Sequence, residues 1–543
     1  MHRFQQLALF ICLVASGYAA YASPPPNIIL ILADDLGYSD LGCYGGEVHT
    51  PHINDLAARG LRFTQFYNGA RCCPSRAALL TGLYPHRAGL GAMNHENVAP
   101  GYQGGIHRQC VTLGDVLRSA GYRTYMAGKW HVINEHQMYR HKENWPRQRG
   151  FDRFYGTLLG YGDFFRPESL IRGNQRVKLD SLSKDFYYTD AITDSTVQFI
   201  DKHLADHSDQ PFFCYVAYTA PHWPLHAKPE DIERYADAYS AGWDALRATR
   251  LKRMKELGVI GQQAELTERD PRVPAWDELD PRQREISARK MAVYAAMIDS
   301  MDQGIGRIVD KLKTTDQLDD TLILFLSDNG ACPENGPFGW DKKDKQLANL
   351  GSQASHSSYG FGWSNASNTP FREHKHWTHE GGIRTPLIAC WPAGISGQNE
   401  LRTQIGHVID LLPTFMEVAG AEYPKTVAGQ TIYPYQGVSL RPAFDDQPID
   451  RDALFWEHET NAAVRQGQWK LVAKERNSPN DPWELYDIDQ DPTETADLAQ
   501  KHPDQVKAMA ALWEKWAKEN DVLPMRQRPG WFYESKENQP PAS

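Results

Sequence analysis

Three apolar runs constrain the fold of this chain more than any other feature. Residues 27–33 (Asn-Ile-Ile-Leu-Ile-Leu-Ala), 211–217 (Pro-Phe-Phe-Cys-Tyr-Val-Ala) and 321–326 (Thr-Leu-Ile-Leu-Phe-Leu) carry no charge, yet each is too short for a buried helix. Strands that are apolar on both faces are the central strands of a parallel sheet covered by helices on either side. Each run stops abruptly at polar residues: Asp34-Asp35, Pro221-His222 and Ser327-Asp328-Asn329-Gly330. In open α/β sheets ligands bind beyond the carboxyl ends of the strands, so three such ends point to one site.

The rest of the chain fits a large α/β domain with a smaller companion. Its 543 residues are 41% hydrophobic and 23% charged, a balance that supports an ample core and excludes disorder, collagen and a multi-span membrane protein. Met291, Ala295, Ile298, Met301, Ile305, Ile308 and Leu312 recur at three and four residues, which predicts an amphipathic helix ahead of the third run. Residues 229–289 are rich in Lys, Arg and Glu and read as a helical, solvated surface insertion. Short strand-like runs at 453–457, 462–465, 469–473 and 483–488 precede a helix bearing Val506, Met509, Trp513 and Trp516 on one face. The expected division is a large α/β domain at 23–410, an antiparallel α+β subdomain at 411–520 and a tail at 521–543.

The amino terminus reads as an address. His2 and Arg3 precede an uncharged stretch at 7–22 that ends in Ala20-Tyr21-Ala22 before Ser23 and three prolines, the pattern of a secretory signal spanning 1–22. No stop-transfer charges follow, so a periplasmic or secreted protein without stable membrane insertion is expected. Cys12 leaves with the leader, and Cys43, Cys72, Cys73, Cys110, Cys214, Cys332 and Cys390 remain. An odd number in an exported chain means that one cysteine is not half of an internal disulfide. The net charge of −10 offers no basic field for nucleic acid, so an anionic substrate needs a local cluster of cations or a metal.

Asp34-Asp35 and Asp328-Asn329 supply only hard oxygen ligands, which suits Ca²⁺ ahead of Mg²⁺ and argues against zinc. An Asp pair alone is more often a helix cap or a turn; two pairs at matched strand ends are not so easily dismissed. Cys72-Cys73-Pro74-Ser75-Arg76 reads as a thiol before a helix entered through Pro74, where the helix dipole and Arg76 favour the thiolate. Ordinary thiolate chemistry gives no reason for a hard-metal site beside it.

Cys-x-Pro-Ser-Arg followed by Thr81-Gly82 resembles the signature of type I sulfatases of the alkaline phosphatase superfamily. Other matches follow in order: residues 27–40, Thr50-Pro51-His52-Ile53-Asn54-Asp55-Leu56-Ala57, Gly128-Lys129-Trp130-His131, Pro221-His222, Ser327-Asp328-Asn329-Gly330, residues 375–386 with Glu380-Gly-Gly-Ile-Arg384, and Trp483-Glu-Leu-Tyr486-Asp487 with Asp491-Pro492-Thr493-Glu494. The resemblance implies an alkaline phosphatase-like α/β fold, a large mixed and mostly parallel sheet sandwiched by helices. It also implies that a maturation enzyme oxidises Cys72 to formylglycine, and that Asp34, Asp35, Asp328 and Asn329 hold Ca²⁺ together with an oxygen of the modified Cys72. One hydroxyl of the hydrated aldehyde attacks sulfur, and the other loses its proton to expel sulfate, which a plain Ser or Cys ester could not do. On that resemblance Arg76, Lys129 and Lys375 are expected to surround the sulfate, Asp328 to take the nucleophile's proton, and His131 to hydrogen-bond the diol or assist its breakdown. His222 protonates the departing oxygen, with Lys375 as the alternative. Lys129, His222 and Lys375 are the expected substrate-binding set, and Tyr161, Trp223 and Trp377 either offer rings for a sugar or an aryl group or belong to the core. The expected activity is S–O cleavage of aryl or carbohydrate sulfate monoesters. The competitors are a phosphate mono- or diester hydrolase of the same superfamily and a noncatalytic sulfated-glycan-binding protein.

Overall fold

All three apolar runs become adjacent strands in the computed structural model, which describes residues 25–94, 99–343, 346–427, 429–478 and 480–525. The predicted leader at 1–22 and the tail beyond 525 lie outside the described residues. The main sheet comprises β1 (Asn27–Ala33), β2 (Leu61–Tyr67), β3 (Arg123–Gly128), β4 (Arg153–Thr157), β5 (Leu170–Arg172), β6 (Gln175–Arg176), β7 (Phe212–Ala217), β8 (Thr321–Ser327), β9 (Arg384–Cys390), β10 (Glu400–Arg402) and β11 (Gly406–His407). Their order is β10-β2-β9-β8-β1-β7-β3-β4-β5-β6, with β11 also on β2. The central strands β8, β1, β7 and β3 run parallel, whereas β9 is antiparallel to both β8 and β2. Ala33 pairs with Ser327, and Leu32 and Gly128 both pair with Ala217, so the carboxyl ends of these four strands finish level.

Side chains alternate across a strand, and β1 divides accordingly. Ile28, Leu30 and Leu32 enter one apolar cluster, and Ile29, Ile31 and Ala33 enter the other. Every residue of β1, β7 and β8 is buried, as strands covered on both faces require. The predicted amphipathic helix spans Pro281–Thr314, starting earlier than its apolar pattern because Asp280 caps it by accepting from the Gln283 backbone N–H at 2.8 Å.

The segment at 229–289 departs from its reading as a solvated helical insertion. Helices form only at Pro229–Glu233, Gly242–Glu256 and the start of the long helix, and residues 257–280 hold a single turn at Trp276–Glu278. Trp243, Arg250 and Met254 are buried, and Arg250 pairs with Asp40 at 2.7 Å and with Glu47 at 2.8 Å. Arg250 lies inside because its partners sit some 200 residues away in sequence, where no local charge pattern shows them.

Beyond a short hairpin, β12 (Thr426–Val427) with β13 (Gln430–Thr431), comes an antiparallel meander of β14 (Leu454–His458), β15 (Asn461–Gln466), β16 (Trp469–Ala473) and β17 (Glu484–Asp487). The Pro503–Glu519 helix lays Met509, Trp513 and Trp516 on it. This small sheet shares one apolar cluster with a face of the main sheet. Lys470 on β16 also ties the two together: fully buried, it reaches Glu380 at 2.7 Å and Glu494 at 2.8 Å. Removing one partner of a buried charge network typically costs about 3–5 kcal/mol. Lys470→Ala is therefore expected to lower the urea midpoint by that equivalent, and an unchanged midpoint would mean that apolar packing alone holds the sheets together. The seven described cysteines all carry free thiols, so the described residues contain no disulfide. No described helix is long and apolar enough to cross a membrane.

Candidate functional site

The level strand ends bring together the acidic, basic and imidazole side chains expected at the site. Asp34 and Asp35 follow β1, Lys129 and His131 follow β3, His222 lies beyond β7, Asp328 and Asn329 follow β8, and Lys375 precedes β9. The Cys72–Thr81 helix points its first turn at them, beginning at Cys72 rather than at Pro74. Arg76 lies four residues on, hence on the same helix face. The approach of β3 to β7 depends on Gly128, whose φ is 113° and where a Cβ would stand 1.9 Å from the Ala217 carbonyl oxygen.

Charges alternate through the cluster. Lys129 Nζ donates to Asp34 Oδ2 at 2.6 Å, and Arg76 donates to Asp328 Oδ2 through Nε at 2.9 Å and to the Lys129 carbonyl at 3.1 Å. Lys375 Nζ lies 2.7 Å from Asp35 Oδ1, Asn329 Nδ2 donates to the same oxygen at 2.7 Å, and His222 Nε2 is 3.4 Å from Asp35 Oδ2. All are buried: Asp34, Arg76, Lys129, Asp328 and Asn329 have no exposed surface, and Cys72 and Lys375 keep 2% each.

Burial pushes the Asp34 carboxyl well above its ordinary range, with Asp328 adding to the rise. Asp328 is also raised by burial, against the pull of Arg76. Burial would raise Asp35 as well, but His222 and Lys375 outweigh it and hold this carboxyl at about 2. Burial lowers His131 to about 4 and His222 to about 3, so both rings are neutral at neutral pH. A hydrogen bond from Cys73 keeps the Cys72 thiol well below its usual value, reinforced by Lys129, His131 and Lys375.

The donor set fits a hard divalent cation. Asp34 Oδ1 and Asn329 Oδ1 are buried and accept no hydrogen bond among the described residues. Such orphaned acceptors are costly unless something positive meets them. Three carboxylates (Asp34, Asp35, Asp328) face three cations (Arg76, Lys129, Lys375), so a divalent ion would leave the cluster net positive and ready for an anion.

Above the cluster opens a cavity of about 550 Å³. Cys72, His131, His222 and Lys375 line its base, and Cys73 does not reach it. Cys73 Sγ instead lies 3.2 Å from His131 Nε2. Trp223 forms a wall with Tyr161 and Trp340, each with a ring centroid 4.8 Å from its own. Trp377, read from sequence as a possible stacking ring, is buried and lines no part of this cavity. Sequence reasoning missed Arg71, Glu334 and Trp340. Arg71 could have been found by its place before Cys72, but the Arg71–Glu334 ion pair at 3.2 Å and the Trp340 ring leave no sequence signal.

Comparison with known proteins gives a consistent picture. Residues 26–421 match the family model described as Sulfatase, and residues 372–521 match N-sulphoglucosamine sulphohydrolase, C-terminal. An uncharacterized sulfatase of Schizosaccharomyces pombe is 35% identical over 536 residues, 92% of this chain and 95% of the relative. An arylsulfatase of Klebsiella aerogenes is 34% identical over 463 residues, 81% of this chain and 96% of the relative. The crystal structure of Ps i-CgsB in complex with k-i-k-neocarrahexaose is 27% identical with a TM-score of 0.66, covering 93% of this chain and 95% of that one.

Proposed function

The chain belongs to the sulfatase family and is a sulfuric ester hydrolase, and from that premise we propose that it is exported and cleaves the S–O bond of aryl or carbohydrate sulfate monoesters with a formylglycine made from Cys72. The observation that carries this reading is the position of Cys72. It lines the cavity from the first turn of a helix, where the charges of Arg76, Lys129 and Lys375 act on it. Asp34, Asp35, Asp328 and Asn329 would hold Ca²⁺ together with the modified residue. When bound, the ion supplies charge stabilisation for the nucleophilic oxygen and the sulfuryl group, and the hydrated aldehyde supplies two hydroxyls at one carbon.

The chain's own residues do the rest. Lys129 and Lys375 bind the anionic ester and fix its sulfur over Cys72, and Arg76 holds Asp328 ready to take a proton. Asp35 raises Lys375 well above its ordinary pKa against the lowering effect of burial, which suits a sulfate-binding cation better than a proton donor. His222 Nδ1 lies 2.5 Å from the Trp223 carbonyl, which leaves Nε2 facing the cluster. In the substrate complex the incoming negative charge favours the protonated ring, and Nε2–H protonates the departing oxygen. His131 faces the nucleophile and assists its proton loss.

A panel of aryl sulfates and sulfated sugars, run beside the matching phosphate esters, tests the reaction, with mass spectrometry of the Cys72 peptide read on the same sample. Sulfate release from protein carrying the aldehyde is expected; ready phosphate release with no sulfate from any member would overturn the assignment. The proton donor is tested through the leaving group. Nitrophenolate departs without protonation and a sugar alkoxide does not. His222→Ala is therefore expected to lower kcat/KM for a sugar or alkyl sulfate by about 10²–10⁴ while costing 4-nitrophenyl sulfate under about 10-fold. The same asymmetry in Lys375→Ala, with uniform losses in His222→Ala, would move the role to Lys375.

A further inference from the structure

Cys73 has no part in the proposed chemistry, yet its sulfur sits in a cluster built for a different ion. The Sγ atoms of Cys72 and Cys73 and a ring nitrogen of His131 all lie within 4.8 Å of one another, and all three residues are buried. Two thiols and an imidazole converging in this way are the donors of a Cys₂His site for Zn²⁺ or another thiophilic cation, with a fourth position left open. Here the open side is the cavity, which Cys72 and His131 line. The oxygen set of Asp34, Asp35, Asp328 and Asn329 lies beside it with the opposite preference. Among the described cysteines, Cys43, Cys110, Cys214, Cys332 and Cys390 belong to no such group.

We propose that the chain whose Cys72 still carries its thiol binds a thiophilic divalent cation through Cys72, Cys73 and His131, and that conversion of Cys72 to the aldehyde abolishes this site. The inference rests on the reading of Cys72 as the modified residue. In the binding step two S–H bonds break, two metal–sulfur bonds form, the neutral imidazole donates its Nε2 lone pair, and two protons pass to solvent. Conversion of Cys72 removes one of the two thiolates, and a single thiolate with one imidazole falls short of the three protein ligands an open zinc site uses. The active centre therefore loses its soft-ion site as it matures and keeps the hard one. While the soft ion is bound, the Cys72 sulfur is engaged and closed to any reagent entering through the cavity.

The test uses full-length chain produced without maturation, its thiol at Cys72 verified by mass spectrometry and its oxygen site saturated with Ca²⁺. Titration with Cd²⁺ is followed by the thiolate-to-metal charge-transfer absorption, and the rate of iodoacetamide alkylation at Cys72 is read by peptide mass spectrometry with and without Zn²⁺. One equivalent of Cd²⁺ is expected, with Zn²⁺ slowing Cys72 alkylation at least about tenfold. Both effects should weaken at least about tenfold in Cys73→Ser, which keeps the side-chain size, and in His131→Ala, and both should be absent from matured protein. An unchanged titration in Cys73→Ser, or equal binding by matured protein, would overturn the proposal. If mass spectrometry instead finds an unmodified thiol in fully active enzyme, the formylglycine reading fails, and the cadmium titration still decides on the soft-ion site by itself.

Discussion

Cys72→Ala is expected to lower kcat by at least about 10⁴-fold, whereas Cys73→Ala keeps most of the wild-type turnover. The two residues are neighbours in sequence and both are buried, so composition and burial class do not separate them. Direction does: Cys72 opens onto the cavity above the oxygen cluster, and Cys73 turns its sulfur towards His131 at 3.2 Å. Alanine at 72 removes the thiol whose oxidation turns Cβ into the aldehyde and leaves the binding cations in place, so substrate binding should outlast catalysis. Alanine at 73 deletes one small buried group, a packing loss of about 1–2 kcal/mol that the stability of the domain absorbs. Steady-state kinetics on Ca²⁺-saturated protein, with circular dichroism to verify folding, reads both effects. The reverse pattern would show that the motif register is off by one residue.

How far the sequence discloses this molecule differs from element to element. β1, β7 and β8 are legible because burial on both faces forces unbroken apolar runs, and their polar ends gave away Asp34, Asp35, Asp328 and Asn329. The meander β14–β17 is legible because short alternating runs are separated by turn residues such as Gly467. Lys470 breaks that pattern: a lysine amid Trp-Lys-Leu-Val looks solvent-facing, yet it is fully buried, since Glu380 arrives from the short helix Glu380–Ile383 before β9, 90 residues earlier. Arg250 is hidden for the same reason, its carboxylates lying about 200 residues upstream. The wall of the cavity was least legible. A tryptophan in sequence carries no mark of whether its ring meets core or ligand, so Trp377 stays open between the two until the structure buries it in the core, and Trp340 goes unread. What sequence conveys well is the chemistry gathered at strand ends; what it hides are pairings between distant loops.

Withdrawing divalent cation with EGTA is expected to lower turnover by at least about 100-fold, restored by Ca²⁺ ahead of Mg²⁺, and the thermal stability gained on adding Ca²⁺ should grow as the pH rises. The sign follows from the carboxylates. Asp34 and Asp328 have native pKa values above the unfolded value near ~3.9, so the cation-free native chain keeps protons that the unfolded chain releases. Its stability therefore falls as the pH climbs from the unfolded value through the raised ones. Asp35, held at about 2, contributes stability that is already complete above the unfolded value, so it does not change across the window. A bound cation requires the ionised carboxylates and reverses the loss, with a gain near ~2.7 kcal/mol at a hundredfold excess over the dissociation constant. The midpoint difference with and without Ca²⁺ should thus be larger at about pH 8 than at about pH 5. Asp34→Asn should remove most of that difference and cost about 10³-fold in kcat, because it takes away an ion ligand and strands the Lys129 charge that Asp34 holds at 2.6 Å. Scanning calorimetry at the two pH values decides the matter: a Ca²⁺ increment that stays constant or shrinks with rising pH would mean that these buried carboxylates are satisfied by Arg76, Lys129 and Lys375 alone.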